Sequence, residues 1–302
     1  MIVVQFLVLL LILIVLVSSK RSSNYDFIFG YSTGHVGTTT LSEGRYYGMP
    51  SKIVFLHEMK YGPFGNNNID ILQWSYNTSV WRQNDQVKDM IYVKEVFLPF
   101  LLLSMKRAKA TTLVDMGHHN LYFIDALVKY LLNETNYKFL IVRLRRERLE
   151  TAVSLSYHRP NKPMVELCRE LITRFCPYDR VNEVINKPPS TDIWNNFTVT
   201  QQALWIIDET EARWLKLIND NPMMNFTEVY WSASYPQSMD EAALTVAQFL
   251  NIDKIAVWSN TWEHMEEHKH SGENTGKVQP IQEIRAQDQK YRQSMNYSYV
   301  PG

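Results

Sequence analysis

Two stretches of this chain concentrate residue types that hold anions. The first is Gly30-Tyr31-Ser32-Thr33-Gly34-His35-Val36-Gly37-Thr38-Thr39-Thr40-Leu41, which leaves an apolar run and enters a helical segment. A turn of this composition points several backbone N–H groups inward at the positive end of a helix dipole, which suits a phosphate-like anion. Thr38 and Thr39 add hydroxyl donors in the first helical turn. The same residues also read as a plain tight turn from strand to helix. The turn is not a Walker A loop, because no Lys lies between Gly30 and Leu41, and this disfavours an ordinary ATPase or GTPase. In the second stretch, an apolar run from Phe139 to Val142 leads into Arg143, Arg145, Arg146 and Arg148, with Thr151 and Ser154 beyond. Arg forks bind phosphate bidentately, and a hydroxyl one or two helical turns on closes the cup. A merely solvated basic helix start would oppose the helix dipole.

The elements that must position these residues follow from the apolar patterning. Short apolar runs at 26–31, 51–56, 111–116, 138–142 and 228–231 predict strands. Helical patterns cover 84–107 (kinked at Pro99), 121–132, 148–157, 199–218 and 239–250. Residues 59–80 and 177–197 read as loops, and the tail from Ser259 is polar and poorly periodic. Strands alternating with helices predict an α/β domain: a mainly parallel sheet between two helical layers, over about 22–258. Both anion-suited stretches then lie at the C-terminal ends of parallel strands, where such sheets bind ligands.

The two stretches together resemble the sulfotransferase family, over roughly residues 26–252. The turn is similar to that family's 5′-phosphosulfate loop, roughly Gly-x-Pro-Arg/Lys-Ser-Gly-Thr-Thr, with His35-Val36-Gly37-Thr38-Thr39 in the last part. His35 takes the place of the basic residue and is charged only when protonated, which a mildly acidic lumen favours. The second stretch is similar to the family's 3′-phosphate site, a strand-end Arg followed eight residues on by Ser. Two registers fit, Arg143 with Thr151 or Arg146 with Ser154; strand geometry favours the first. The separation of the two stretches, about 105 residues, also fits the family. So do Glu209-Thr210-Glu211-Ala212-Arg213-Trp214 and Glu228-Val229-Tyr230-Trp231, which resemble its later core.

The resemblance implies a P-loop-like sulfotransferase fold and 3′-phosphoadenosine 5′-phosphosulfate as donor, bound through Gly34 to Thr39 and the Arg cluster, with no metal. Transfer to a hydroxyl also needs a base beside the acceptor proton and cations around the moving group. Strand two ends in His57-Glu58-Met59-Lys60, and glycan sulfotransferases place a Glu base near this point, which suggests Glu58, with Lys60 as the cation that His35 does not supply. Strand three ends in Gly117-His118-His119. Cytosolic sulfotransferases use a His from a comparable place, so His118 or His119 is the rival base.

Composition sets the remaining limits. The chain has 302 residues, 31 Lys+Arg against 31 Asp+Glu, 45% hydrophobic residues and 13% aromatics. Zero formal net charge argues against a general nucleic-acid binder, which must neutralise phosphates. Two Cys are too few for a disulfide scaffold, though Cys168 and Cys176 can pair with each other in an oxidising lumen. His264, His268 and His270 have metal-ligand spacing but read as part of a polar tail. Trp205 and Trp214 read as core.

Ile2 to Val17 is sixteen residues, apolar except for Gln5. That falls between a signal-peptide core of roughly 7–15 and a spanning helix of roughly 17–25 residues. Lys20 and Arg21 follow the segment and no basic residue precedes it, which opposes a signal anchor with a lumenal C-terminus. The sequons at Asn77, Asn133, Asn196, Asn225 and Asn296 favour lumenal entry and N-glycans. Residues 1–21 are therefore read as a single-pass Golgi-type membrane anchor in preference to a cleaved signal peptide, and 259–302 as an extension that packs on the domain or is partly disordered. The expected activity is sulfuryl transfer to a hydroxyl of a glycan or other secretory-pathway acceptor. Two other readings stay open. One is a sulfotransferase-like binding protein without turnover; the other is a kinase using Asp115 as a Walker-B-like Mg²⁺ carboxylate.

Overall fold

Apolar residues at consecutive positions, with no polar alternation, form a strand covered on both faces. β1 (Phe27–Tyr31) is such a strand, buried throughout. It lies at the centre of a five-stranded, wholly parallel sheet with β2 (Ile53–Leu56), β3 (Thr112–Asp115), β4 (Phe139–Arg146) and β5 (Phe226–Trp231), in the order β2-β3-β1-β4-β5. The computed structural model describes residues 25–33, 41, 47, 52–56, 86–117, 120, 121, 123–157, 185, 186, 190–232, 237–252 and 281–296.

β4 runs four residues past the predicted end at Val142. Its pairing with β5 continues to Arg146↔Trp231, so Arg143, Arg145 and Arg146 are strand residues. Glu228 stands opposite Arg143 in this ladder, and opposite charges on neighbouring strands support the pairing.

Helices cover both faces. α1 (Gln86–Tyr92) continues through a π-helical turn (Val93–Phe97) into α2 (Leu98–Ala108). The Leu98 N–H reaches back five residues to the Val93 carbonyl. Pro99 has no N–H to continue the regular ladder, so the widened turn falls just ahead of it. α3 (Ile124–Glu134), α4 (Arg148–Tyr157) and α6 (Val199–Asp220) join α1 and α2 on the face that buries Phe27, Phe29 and Tyr31. α7 (Gln237–Phe249) covers the opposite face, with Ile28, Leu140, Val142 and Leu144.

Two helices stand in segments read as irregular. α5 (Thr191–Asn195) lies within the expected loop 177–197 and buries Trp194, whose ring meets Trp205 edge-on with centroids 5.0 Å apart. α8 (Ile281–Ser294) lies in the polar tail. Its buried positions are Ile284, Asp288 and Tyr291, continued by Met295 just past its end, one stripe in which a carboxylate replaces a hydrophobe. The segment 2–17 lies outside the described residues. Among the described residues, no helix is long and apolar enough to cross a membrane.

Candidate functional site

The topology marks a crevice beside β1. The chain leaving β1 packs Leu41 and Tyr47 on the α7 face, whereas the chains leaving β3 and β4 supply Leu127 and Leu204 to the opposite face. Where neighbouring strands send their connections to opposite faces, their carboxyl ends border a crevice that can hold a ligand. Gly30 is required at this point. A Cβ there would lie 2.7 Å from the Met116 Cα, closer than real side chains come to backbone. Asn120 ties the two strand ends together, donating through Nδ2 to the Gly30 carbonyl at 3.4 Å and the Asp115 carbonyl at 3.1 Å.

A cavity of about 190 Å³ opens at the C-terminal ends of β1 and β4. Tyr31, Ser32 and Thr33 form one wall, and the chain from Arg143 to Arg148, with Thr151, forms another. Thr210, Glu211 and Tyr230 complete it from α6 and β5. The register Tyr31↔Arg143 is what brings the start of the first stretch beside the second. Of the residues singled out from sequence, Arg143, Arg146 and Thr151 line this cavity. Ser154 lies one turn further along α4 and is not among the lining residues. Gly34, His35, Val36, Gly37, Thr38, Thr39, Glu58, Lys60, His118 and His119 lie outside the described residues. So do Cys168, Cys176, Asn77, His264, His268 and His270. Among the described residues, no cluster of His, Cys, Asp or Glu has metal-site geometry.

The Arg cluster is held by a lattice of carboxylates. Arg143 is 7% exposed and forks onto Glu211, with a further bond from Nη1 to Glu228 Oε1 at 3.2 Å. Its guanidinium lies 5.6 Å from the centre of the Trp214 ring. Burial, with Arg145 beside it, pulls Arg143 down to about 10, so it remains a cation at neutral pH. Burial alone would raise the Glu228 carboxyl. Arg143, the Trp214 indole N–H at 2.7 Å and Arg145 outweigh that and hold it below the ordinary range. Arg146 donates to Glu150 at 3.1 Å and stacks 4.4 Å from the Trp231 ring centre. Arg145 is the most exposed of the four, and meets Glu228 Oε2 by one bond of 3.2 Å.

Arg148 is the hub beneath the cavity. It grips both oxygens of Asp208 at 2.7 and 2.8 Å and reaches Asp288 on α8 at 2.7 Å. Burial would lower Arg148; these two carboxylates outweigh it and hold Arg148 above its ordinary value. Glu209, fully buried, accepts from the N–H groups of Ile185 and Asn186 and from Arg213. The Tyr31 hydroxyl donates to the Thr210 carbonyl at 3.2 Å. Burial pushes its phenol well above the ordinary range, so it stays a neutral donor. At the head of α4, the Glu147 side chain accepts from the Glu150 N–H at 2.7 Å. Glu147 and Glu150 thus answer the conflict between Arg residues and the helix dipole.

Sequence reasoning did not assign Asp208, Glu211, Glu228 or Asp288 as partners of the Arg cluster. The signal present was the run Asp208-Glu209-Thr210-Glu211, three carboxylates in four positions on a helix that also buries Leu204, Trp205, Trp214 and Leu217. Comparison with family models, with curated proteins and with solved structures returns no match.

Proposed function

We propose that this chain is a sulfotransferase that moves a sulfuryl group from 3′-phosphoadenosine 5′-phosphosulfate to a hydroxyl of a glycan or another secretory-pathway acceptor. The observation that supports this most is the shared cavity. Tyr31, Ser32 and Thr33, at the start of the stretch suited to a phosphosulfate, and Arg143, Arg145, Arg146 and Thr151 of the stretch suited to a 3′-phosphate line one cavity at the carboxyl ends of β1 and β4. The fold this reading invokes is the P-loop-like one, with the turn 34–39 holding the 5′-phosphosulfate. On the other wall, Thr151 lines the cavity and Ser154 does not, which favours Thr151 as the hydroxyl of the 3′-phosphate site; β4 ends at Arg146, so Arg143 lies within the strand, where Glu211 and Glu228 hold it as part of the frame of that site.

Arg145 adds a cation that the motif did not single out. Its exposed head holds Glu228 by a single contact, so exchanging that carboxylate for a phosphate disturbs little packing. In the reaction, the acceptor oxygen attacks sulfur and the bond from sulfur to the phosphate oxygen breaks. The acceptor proton passes to a base, and adenosine 3′,5′-bisphosphate leaves. Glu58 and the His118-His119 pair follow β2 and β3, whose last residues Leu56 and Asp115 are paired. Either can serve as base under this reading, and Lys60 supplies charge to the transferring group. An N-terminal anchor places the domain in the lumen, where the acceptor is found.

The test is thermal stabilisation of the full chain by adenosine 3′,5′-bisphosphate, with ATP·Mg²⁺ in parallel. A ligand at 100 times its Kd stabilises by about 2.7 kcal/mol. The expected result is a bisphosphate shift that is reduced in Thr151→Val and Arg145→Ala and retained in Ser154→Ala. A shift with ATP·Mg²⁺ alone sinks the sulfotransferase reading in favour of the kinase. Bisphosphate binding without transfer from the sulfated donor to any hydroxyl supports a binding protein instead.

A further inference from the structure

A second, larger recess of about 840 Å³ lies away from the crevice, between α5, the head of α6 and α8. Four amides stand in its walls, Asn196, Gln201, Gln287 and Gln293, with Glu283 and Lys290. Amide, hydroxyl and charged groups are the chemistry that meets a sugar, through hydrogen bonds to its hydroxyls. Asn196 is also the acceptor of the sequon Asn196-Phe197-Thr198. It is exposed, and its side chain makes no hydrogen bond among the described residues; its backbone N–H caps α5. A second sequon, Asn296-Tyr297-Ser298, follows Ser294 in sequence, but Asn296 does not line the recess. Asn133 and Asn225 are also exposed, but line neither cavity.

We infer that Asn196 carries an N-glycan whose first sugars seat in this recess and hold α8 against the domain. The inference rests on the lumenal placement in the proposed function. In the modification, Asn196 Nδ2 attacks the anomeric carbon of a lipid-pyrophosphate-linked oligosaccharide. The N–C bond forms as the bond from that carbon to the pyrophosphate oxygen breaks, one amide proton is lost, and the lipid pyrophosphate leaves. The seat has a mechanical consequence. α8 is held by Phe197 against Tyr291, with ring centroids 5.4 Å apart, by the Thr198 hydroxyl on Gln287 at 2.6 Å, and by Asp288 on Arg148. A glycan bridging the two walls adds to that hold from the solvent side.

The full chain, expressed in a eukaryotic secretory host, tests this by peptide mass mapping of each sequon, native glycan release by peptide N-glycosidase, and hydrogen exchange of residues 281–294. The expected result is an occupied Asn196 that releases its glycan about tenfold more slowly than Asn133 or Asn225, equivalent to about 1.4 kcal/mol of seating. Exchange in 281–294 rises by a similar factor after release, and rises likewise in Asn196→Gln. That variant keeps Thr198 and Gln201 and so leaves the α6 cap intact. Occupied Asn133 or Asn225 with a bare Asn196 overturns the inference and leaves the lumenal reading standing. A chain bare at every sequon overturns both. An occupied Asn196 that releases as fast as the other sites, with unchanged exchange in α8, overturns the seat.

Discussion

Replacing Arg148 by Met keeps most of the stem volume and removes the charge that three elements share. In the wild type, Asp208 has a side chain only 4% exposed and finds both of its oxygens on Arg148. Asp288 is 12% exposed at the side chain and retains Arg292 at 2.9 Å after the change. The loss therefore falls mainly on Asp208, left as a buried carboxylate with no cation. Breaking a buried pair from one side costs about 3–5 kcal/mol, most of it the penalty on the abandoned charge. At roughly 2–4 °C per kcal/mol for a domain of this size, the melting temperature should fall by about 10 °C. Arg148→Lys keeps the charge but not the fork, and should lose less than half as much. Urea titration with an unchanged slope separates this loss from a change in the unfolded state. The Met variant's deficit should also shrink as pH falls, because a buried carboxyl without a cation has a raised pKa and sheds its charge first. If Met and Lys destabilise equally, or if the Met deficit is flat with pH, an abandoned charge is not the cause and the hub account of Arg148 is wrong.

Two further expectations follow from neighbouring contacts. Gly30→Ala places a methyl 2.7 Å from the Met116 Cα, so strand β1 or the end of β3 must shift. A loss of about 1–3 kcal/mol by chemical denaturation is expected from such overpacking, and a neutral result would mean that the two strand ends move apart freely. Glu228 titrates below its ordinary 4.5 because Arg143, Trp214 and Arg145 outweigh its burial. Its depressed pKa contributes stability that is complete above that ordinary value and is lost as pH falls through the folded-state value. Glu228→Gln should therefore melt lower at neutral pH and show a shallower acid decline than the wild type; parallel acid limbs for the two proteins would refute the assignment.

The order of strands and helices around the sheet was legible because the buried strands are continuous apolar runs, such as Phe27 to Tyr31, and α6 carries Leu204, Trp214 and Leu217 at helical spacing. Two kinds of information were not legible. The end of β4 was placed too early because an Arg run looks like an exit from a sheet. In the fold, Glu228 on β5 and Glu211 on α6 neutralise it, and those partners lie 85 and 68 residues away. The helix α8 was missed because Asp288 occupies a position in its buried stripe. An aspartate there breaks the apolar period, and only the presence of Arg148 across the interface explains it.

These two misses have one cause, and it bears on how the cavity works. The same Arg residues that suggested an anion site are also the counter-ions of the domain's buried carboxylates. Arg143 and Arg148 are saturated, deep and shared among several elements, so their first role is to fix α6, β5 and α8 around β4. Arg145 differs in each respect: it is half-exposed, it has one ion-pair partner among the described residues, and that partner is itself bound to Arg143. A phosphate displacing Glu228 from Arg145 leaves Glu228 still held by Arg143 and the Trp214 indole, so no carboxylate is stranded. Displacing Glu211 from Arg143 would take from that carboxylate the cation that holds both of its oxygens. Under the proposed function, the lattice therefore steers an incoming phosphate to the rim of the cavity, where exchange is cheapest, and keeps the deeper guanidiniums as the frame that holds the rim in place.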